Sequence, residues 1–75
     1  MKMKPLYTAI LEKEKDMYVA NCPEFDIASQ GYTIEEAKAN LREAVELFLE
    51  TATQEEIKRR YKPEILISKF EVSFG

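Results

Sequence analysis

Residues 33–51 read TIEEAKANLREAVELFLET, and this stretch decides the fold. Apolar side chains recur at Ile34, Ala37, Leu41, Ala44, Val45, Phe48 and Leu49, the spacing of one helix face. Lys38, Arg42, Glu43, Glu46 and Glu50 fall on the opposite, solvated face. Thr33-Ile34-Glu35-Glu36 is a capping box: the Thr33 hydroxyl accepts from the Glu36 N–H, and the Glu36 carboxylate reaches back to the Thr33 N–H. Glu35 and Glu36 also sit in the first turn, where the helix dipole favours negative charge. The pattern predicts an amphipathic helix from Ile34 to Thr51 with Thr33 as its N-cap. Leu41, Val45 and Phe48 are expected to pack against a sheet.

Upstream, residues 6–11 (LYTAIL) and 17–22 (MYVANC) are rich in β-branched and aromatic side chains and read as strands. The wholly charged segment 12–16 (EKEKD) between them is expected as a hairpin loop. Pro23 stops the second strand because it has no N–H to give a ladder. After a corner at Glu24, residues 25–30 (FDIASQ) form a weaker third strand, and Gly31 permits the turn that leaves the sheet. Downstream, Thr53-Gln54-Glu55-Glu56 repeats the capping pattern and predicts a short helical turn through Tyr61. The cations Lys58, Arg59, Arg60 and Lys62 read as a helix end that complements the dipole, or as an anion contact. Pro63 closes that segment. Residues 64–74 form a last strand with Leu66, Phe70, Val72 and Phe74 on one face; Ile65 and Ile67 fall on the other, which suggests a bulge or a sheet apolar on both sides near its start.

The expected fold class is therefore α+β, in the order β-β-β-α-β, as one domain over residues 1–75. An antiparallel meander is joined by a fourth strand parallel to the first, in sheet order 3-2-1-4. The helix covers one face. The other face, with Tyr7, Tyr18 or their neighbours, has nothing to cover it.

A chain of 75 residues lies near the lower limit for folding unaided. A core of this size supplies only about 3–5 kcal/mol. One cysteine and no histidine leave neither an internal disulfide nor a structural zinc site. Self-association as a dimer or tetramer is the remaining support. The net charge of −3 disfavours a phosphate-binding surface, so no direct DNA binding is expected. It suits either a basic protein partner or plain solubility. The start, Met1 to Pro5, has cations without the apolar run of a signal peptide, and Ile65-Leu66-Ile67 is far short of the ~20 residues that span a membrane. With one unpaired thiol, the expected compartment is the cytoplasm.

Catalytic chemistry finds few residues to use. Imidazole-dependent nucleophilic catalysis needs a histidine, and there is none. The glycines are Gly31 and Gly75, too few for a phosphate loop. Cys22 reads as a buried strand-end residue. Paired-acid chemistry is the one catalytic option left, and its candidates Glu24 and Asp26 flank Phe25 on one side of a strand, where solvent exposure explains both. The chain is expected to bind rather than catalyse, with no cofactor and no metal. Glu24, Phe25 and Asp26 are the candidate partner surface, since the two acids have no local duty and Phe25 is either core or an exposed anchor.

From Tyr18 to Glu50 the sequence resembles the HicB-like antitoxin family. The matching residues are Tyr18-Val19-Ala20, Cys22-Pro23-Glu24, Ser29-Gln30-Gly31, Thr33-Ile34-Glu35-Glu36-Ala37, Asn40-Leu41, Glu43-Ala44 and Leu47-Phe48-Leu49-Glu50. With the first strand, this is about two thirds of the chain. The S-Q-G-x-T-x-x-E-A core, preceded by C-P at this distance, is the specific part. The resemblance implies a truncated ribonuclease-H fold and an antitoxin that covers the active surface of a small basic HicA-like mRNA ribonuclease. Two family features are missing from the match. The 75 residues end with the expected fourth strand, so the DNA-binding C-terminal domain of many members is not carried over. Residues 6–11 hold none of the carboxylates that ribonuclease-H enzymes place mid-strand for metal. The alternatives are a stand-alone oligomeric domain that binds a small ligand or another protein, and a degenerate ribonuclease-H-like nuclease.

Overall fold

A computed structural model describes residues 5–75; residues 1–4, part of the stretch weighed above as a signal sequence, lie outside them. Three strands, β1 (Ile10–Glu14), β2 (Met17–Cys22) and β3 (Ile27–Gly31), form an antiparallel sheet in the order β1-β2-β3. Two helices follow, α1 (Ile34–Thr51) and α2 (Gln54–Arg60). The class is α+β.

β1 runs later than its apolar residues suggest. Glu12, Lys13 and Glu14 are not loop but ladder, opposite Val19, Tyr18 and Met17. Charged side chains are readily accommodated on an edge strand, which solvent reaches. The hairpin loop therefore shrinks to Lys15-Asp16, and Lys15 takes a left-handed φ of 58° to close it. β3 starts at Ile27 because Phe25 and Asp26 belong to the preceding corner, and its register sets Cys22 opposite Ile27.

α1 has the expected ends. Its Thr33 hydroxyl accepts from the Glu36 N–H at 3.0 Å. The Glu36 carboxylate reaches back one residue further than the sequence pattern suggests, accepting from the Tyr32 N–H at 2.9 Å. Thr53 caps α2 in the same way, from the Glu56 N–H at 3.1 Å. Ala37, Leu41 and Val45 are buried, with Phe48 partly so. α1 lies over β3 and, less extensively, β2. Ala20 and Ala37 are both completely buried, small side chains that suit a close helix–sheet approach.

Gly31 makes the same approach possible at the helix start. A Cβ there would stand 2.6 Å from the Ala37 nitrogen and 2.9 Å from the Glu36 carbonyl carbon. Its φ is not positive. Close approach of two backbones, not turn handedness, is the reason for glycine at this position.

On the core face of β2 lie Tyr18, Ala20 and Cys22, so Tyr18 packs against the core and not on the open face. Tyr7 also turns inward, edge-on to Phe25. By strand alternation the open face carries Ile10, Met17, Val19 and Ala28 instead.

Residues 61–75 contain neither helix nor strand. Among the described residues the expected fourth strand has no ladder partner, and of the order 3-2-1-4 the first three members are present. Leu66, Phe70 and Phe74 are 93%, 84% and 94% exposed. The radius of gyration is 14.8 Å, against about 11 Å for a compact chain of this length.

Candidate functional site

The Cys22–Asp26 corner, where sequence reasoning put the partner surface, is the most heavily bonded part of the molecule. Pro23 starts the turn with its fixed φ, and the Phe25 N–H donates to the Cys22 carbonyl at 3.4 Å. Asp26 then takes a φ of 57°, a left-handed conformation that aspartate tolerates better than most residues. This reversal turns residues 24 and 25 inward.

Glu24 is only 7% exposed. The Thr8 N–H donates to both of its carboxylate oxygens, at 3.1 and 2.9 Å, and the Thr8 hydroxyl donates to Oε2 at 2.7 Å. The Cys22 thiol donates to Oε1 at 3.4 Å. Burial pushes the Glu24 carboxyl up, but these bonds and that of its own backbone together hold it below the ordinary glutamate value. Burial pushes the Cys22 thiol up, and its bond to Glu24 adds to this. Tyr7 is also raised, first by burial and then by its neighbours Tyr61, Cys22 and Glu24. Glu24 stays ionised while Cys22 stays protonated. The pair holds residues 7–9 against the corner.

Phe25 is the centre of the core, 1% exposed. Tyr7 meets its ring edge-on at 5.1 Å, Tyr61 stacks on it at 5.3 Å, and Phe48 lies tilted at 5.5 Å. Arg60 closes the corner from outside. Its guanidinium donates to the Phe25 carbonyl at 2.7 Å and the Asp26 carbonyl at 3.2 Å, and rests 4.8 Å over the Phe48 ring. The Lys62 N–H donates to the Glu24 carbonyl at 2.8 Å.

Of the candidate partner trio, the exposure expected of Glu24 is corrected, and Phe25 takes the core alternative and not that of an exposed anchor. Glu24 has an internal duty and Phe25 is core; Asp26 alone is exposed. The motif residues have structural roles. Cys22 and Pro23 build the corner; Gly31, Thr33, Glu36 and Ala37 build the β3–α1 junction. The Gln30 carbonyl accepts from the Asn40 amide at 2.8 Å, and Ser29 lies half-buried on the core face. Sequence reasoning did not find Thr8 or Arg60, whose partners lie 16 and 34–35 residues away. Arg60 was legible only as one cation among four.

A second acidic feature lies on α1. At 100° per residue, Glu35, Glu36, Glu43, Glu46 and Glu50 fall within an arc of roughly 100°, opposite Leu41 and Val45, and Arg42 and Lys38 border that arc on the Glu35 side. All five are exposed. Among the described residues none of them forms a salt bridge; the ion pair found there is Glu56–Arg59 on α2.

Over 71 residues, 93% of this chain and 99% of the relative, the sequence is 34% identical to a UPF0150 protein of Helicobacter pylori strain J99. The chain belongs to the UPF0150 family. A UPF0150 protein of Synechocystis sp. is 49% identical over 51 residues, which is 65% of each chain. No family model and no solved structure matches. Among the described residues no helix is long and apolar enough to cross a membrane.

Proposed function

We propose that this UPF0150 protein is a HicB-like, antitoxin-type binding protein that neutralises a small basic HicA-like mRNA ribonuclease by covering its active surface. The observation that carries the reading is the acidic outward face of α1, five glutamates without an internal ion pair. Like charges spaced three or four residues apart on one helix cost a few tenths of a kcal/mol each. A basic partner offsets that cost and is drawn in faster by the complementary field. Asp26 adds an exposed acid at the corner, its carbonyl held by the Arg60 guanidinium. The HicB-like motif supports the reading, since its residues build the junction that displays this helix. The domain works in the cytoplasm as a homo-oligomer, and its sheet is completed in the order 3-2-1-4 when residues 64–74 pair beside β1.

The test is capture from native lysate followed by an RNA-cleavage assay. A small basic ribonuclease should co-purify and regain activity once the chain is removed. The double variant Glu43→Lys/Glu46→Lys should associate at least tenfold more slowly at low salt, with a flatter salt dependence. Capture of no nuclease, or of one whose cleavage the chain leaves unchanged, counts against the antitoxin.

A further inference from the structure

Three features of the chain fit one another. The first is an arm. Residues 69–74 alternate Phe70, Val72 and Phe74 on one side with Lys69, Glu71 and Ser73 on the other; Leu66 shares the apolar side, Ile65 and Ile67 lie on the opposite one, and Leu66, Phe70, Val72 and Phe74 are exposed. That is the pattern of a strand with one buried face. The second is an edge: among the described residues β1 pairs with β2 alone, and its other side has no partner. The third is a groove of about 710 Å³ between residues 5–9 and α1, lined by Tyr7, Ala9, Leu41, Val45 and Leu49. α1 covers β3 and β2, so the groove lies where a further strand beside β1 would put its apolar side chains.

We infer that the arm of one chain occupies the edge and groove of a second copy, so that two chains exchange arms and each completes the other's sheet. The arm's own exit argues against return to its own edge. Tyr61 is stacked on Phe25 and Lys62 bonded to the Glu24 carbonyl, so the direction of departure is set there. Pro63 stiffens the next step, and residues 64–74 contain no Gly, Pro, Asn or Asp to reverse it. The arm runs outward, and the molecule measures 50 × 28 × 27 Å. Arm and edge are different surfaces, but reciprocal exchange between two copies closes the assembly. Phe70 and Phe74 each offer about 150–250 Å². With Leu66 and Val72, two arms bring the buried surface into the roughly 1,200–2,000 Å² range of stable interfaces.

This inference rests on the proposed self-association and adds its mode. Light scattering of the full chain at micromolar concentration should give a dimer mass. Phe70→Asp/Phe74→Asp should weaken the dimer at least 100-fold and leave a monomer with its helical signal intact. Lys69→Gln, on the outward side, should leave the mass unchanged. In mixed dimers of isotope-labelled and unlabelled chains, nuclear Overhauser contacts between the Phe70 ring and Leu41 or Val45 methyls should cross between chains. A dimer that survives the double Asp variant leaves self-association standing and overturns arm exchange. A monomer mass for the wild-type chain, or contacts found only within one chain, overturns it as well. So does an arm that becomes ordered only on a different protein.

Discussion

The corner at residues 22–26 (CPEFD) is the more charged and the arm at residues 64–74 (EILISKFEVSF) the more apolar, yet it is the corner that is buried. In the corner a carboxylate, a thiol and an aromatic ring are all buried; the carboxylate accepts from Thr8 and from the Cys22 thiol, and Arg60 donates to the Phe25 carbonyl. In the arm five large apolar residues stand in water with no contact that fixes them. Burial therefore follows the available partners, not hydropathy. Glu24 goes inside because Thr8 and Cys22 satisfy it, while Phe74 stays 94% exposed because the arm leaves the corner in a direction that does not bring it back to its own groove.

That contrast breaks most sharply at Phe25. Phe25→Ala should cost about 3–5 kcal/mol, measured by urea unfolding, because three rings lose their common neighbour. A loss under about 1 kcal/mol would mean that the corner is not the centre of the core.

Glu24→Gln tests whether the bonds rather than the shape hold the corner. Hydrogen bonds to a charged group contribute about 1.5–3 kcal/mol, and the variant should lose a comparable amount at neutral pH. The folded carboxyl titrates below the unfolded one. In acid the unfolded state therefore binds more protons, and stability that is present above the unfolded value is lost as pH falls through the folded value. Thermal melts of the wild type should decline through that window, and those of Glu24→Gln less steeply. Equal slopes would remove the ionised carboxylate from the account.

At the β3–α1 junction, Gly31→Ala should cost about 1–3 kcal/mol, the range for forcing extra volume into a packed site. The clash is with backbone, which cannot step aside as a flexible side chain can. The smallest effect belongs to the arm. Phe70→Ser, measured at a concentration where the chain is monomeric, should change unfolding stability by less than about 0.5 kcal/mol. A larger loss in the monomer would mean that the arm packs on its own chain.

Legibility in the sequence follows the same divide. The α1 boundaries and its Thr33 cap were readable because each interaction closes within four residues. The Gln54–Arg60 helix followed from the same local pattern. The inward turn of Glu24 was not readable. It depends on a left-handed Asp26 and on Thr8 and Arg60, far away along the chain. β1 was displaced because strand limits are set by the partner ladder, and Glu12 to Glu14 gain theirs from β2. In the arm, alternation was visible, but a ladder needs a second edge that the sequence of one chain does not place. Of the candidate site, the position of the corner was legible and its exposure was not.

Cys22 gives the corner a clock. Its sulfur is buried, and its proton is held by the same carboxylate that ties down residues 7–9. Thiolate is the species that alkylating reagents attack, so a closed corner reacts slowly. Labelling then proceeds through transient opening, and its rate at saturating reagent measures how often residues 7–9 and α2 release the corner. Because the chain has one thiol, mass spectrometry on intact protein can follow that opening without any introduced probe.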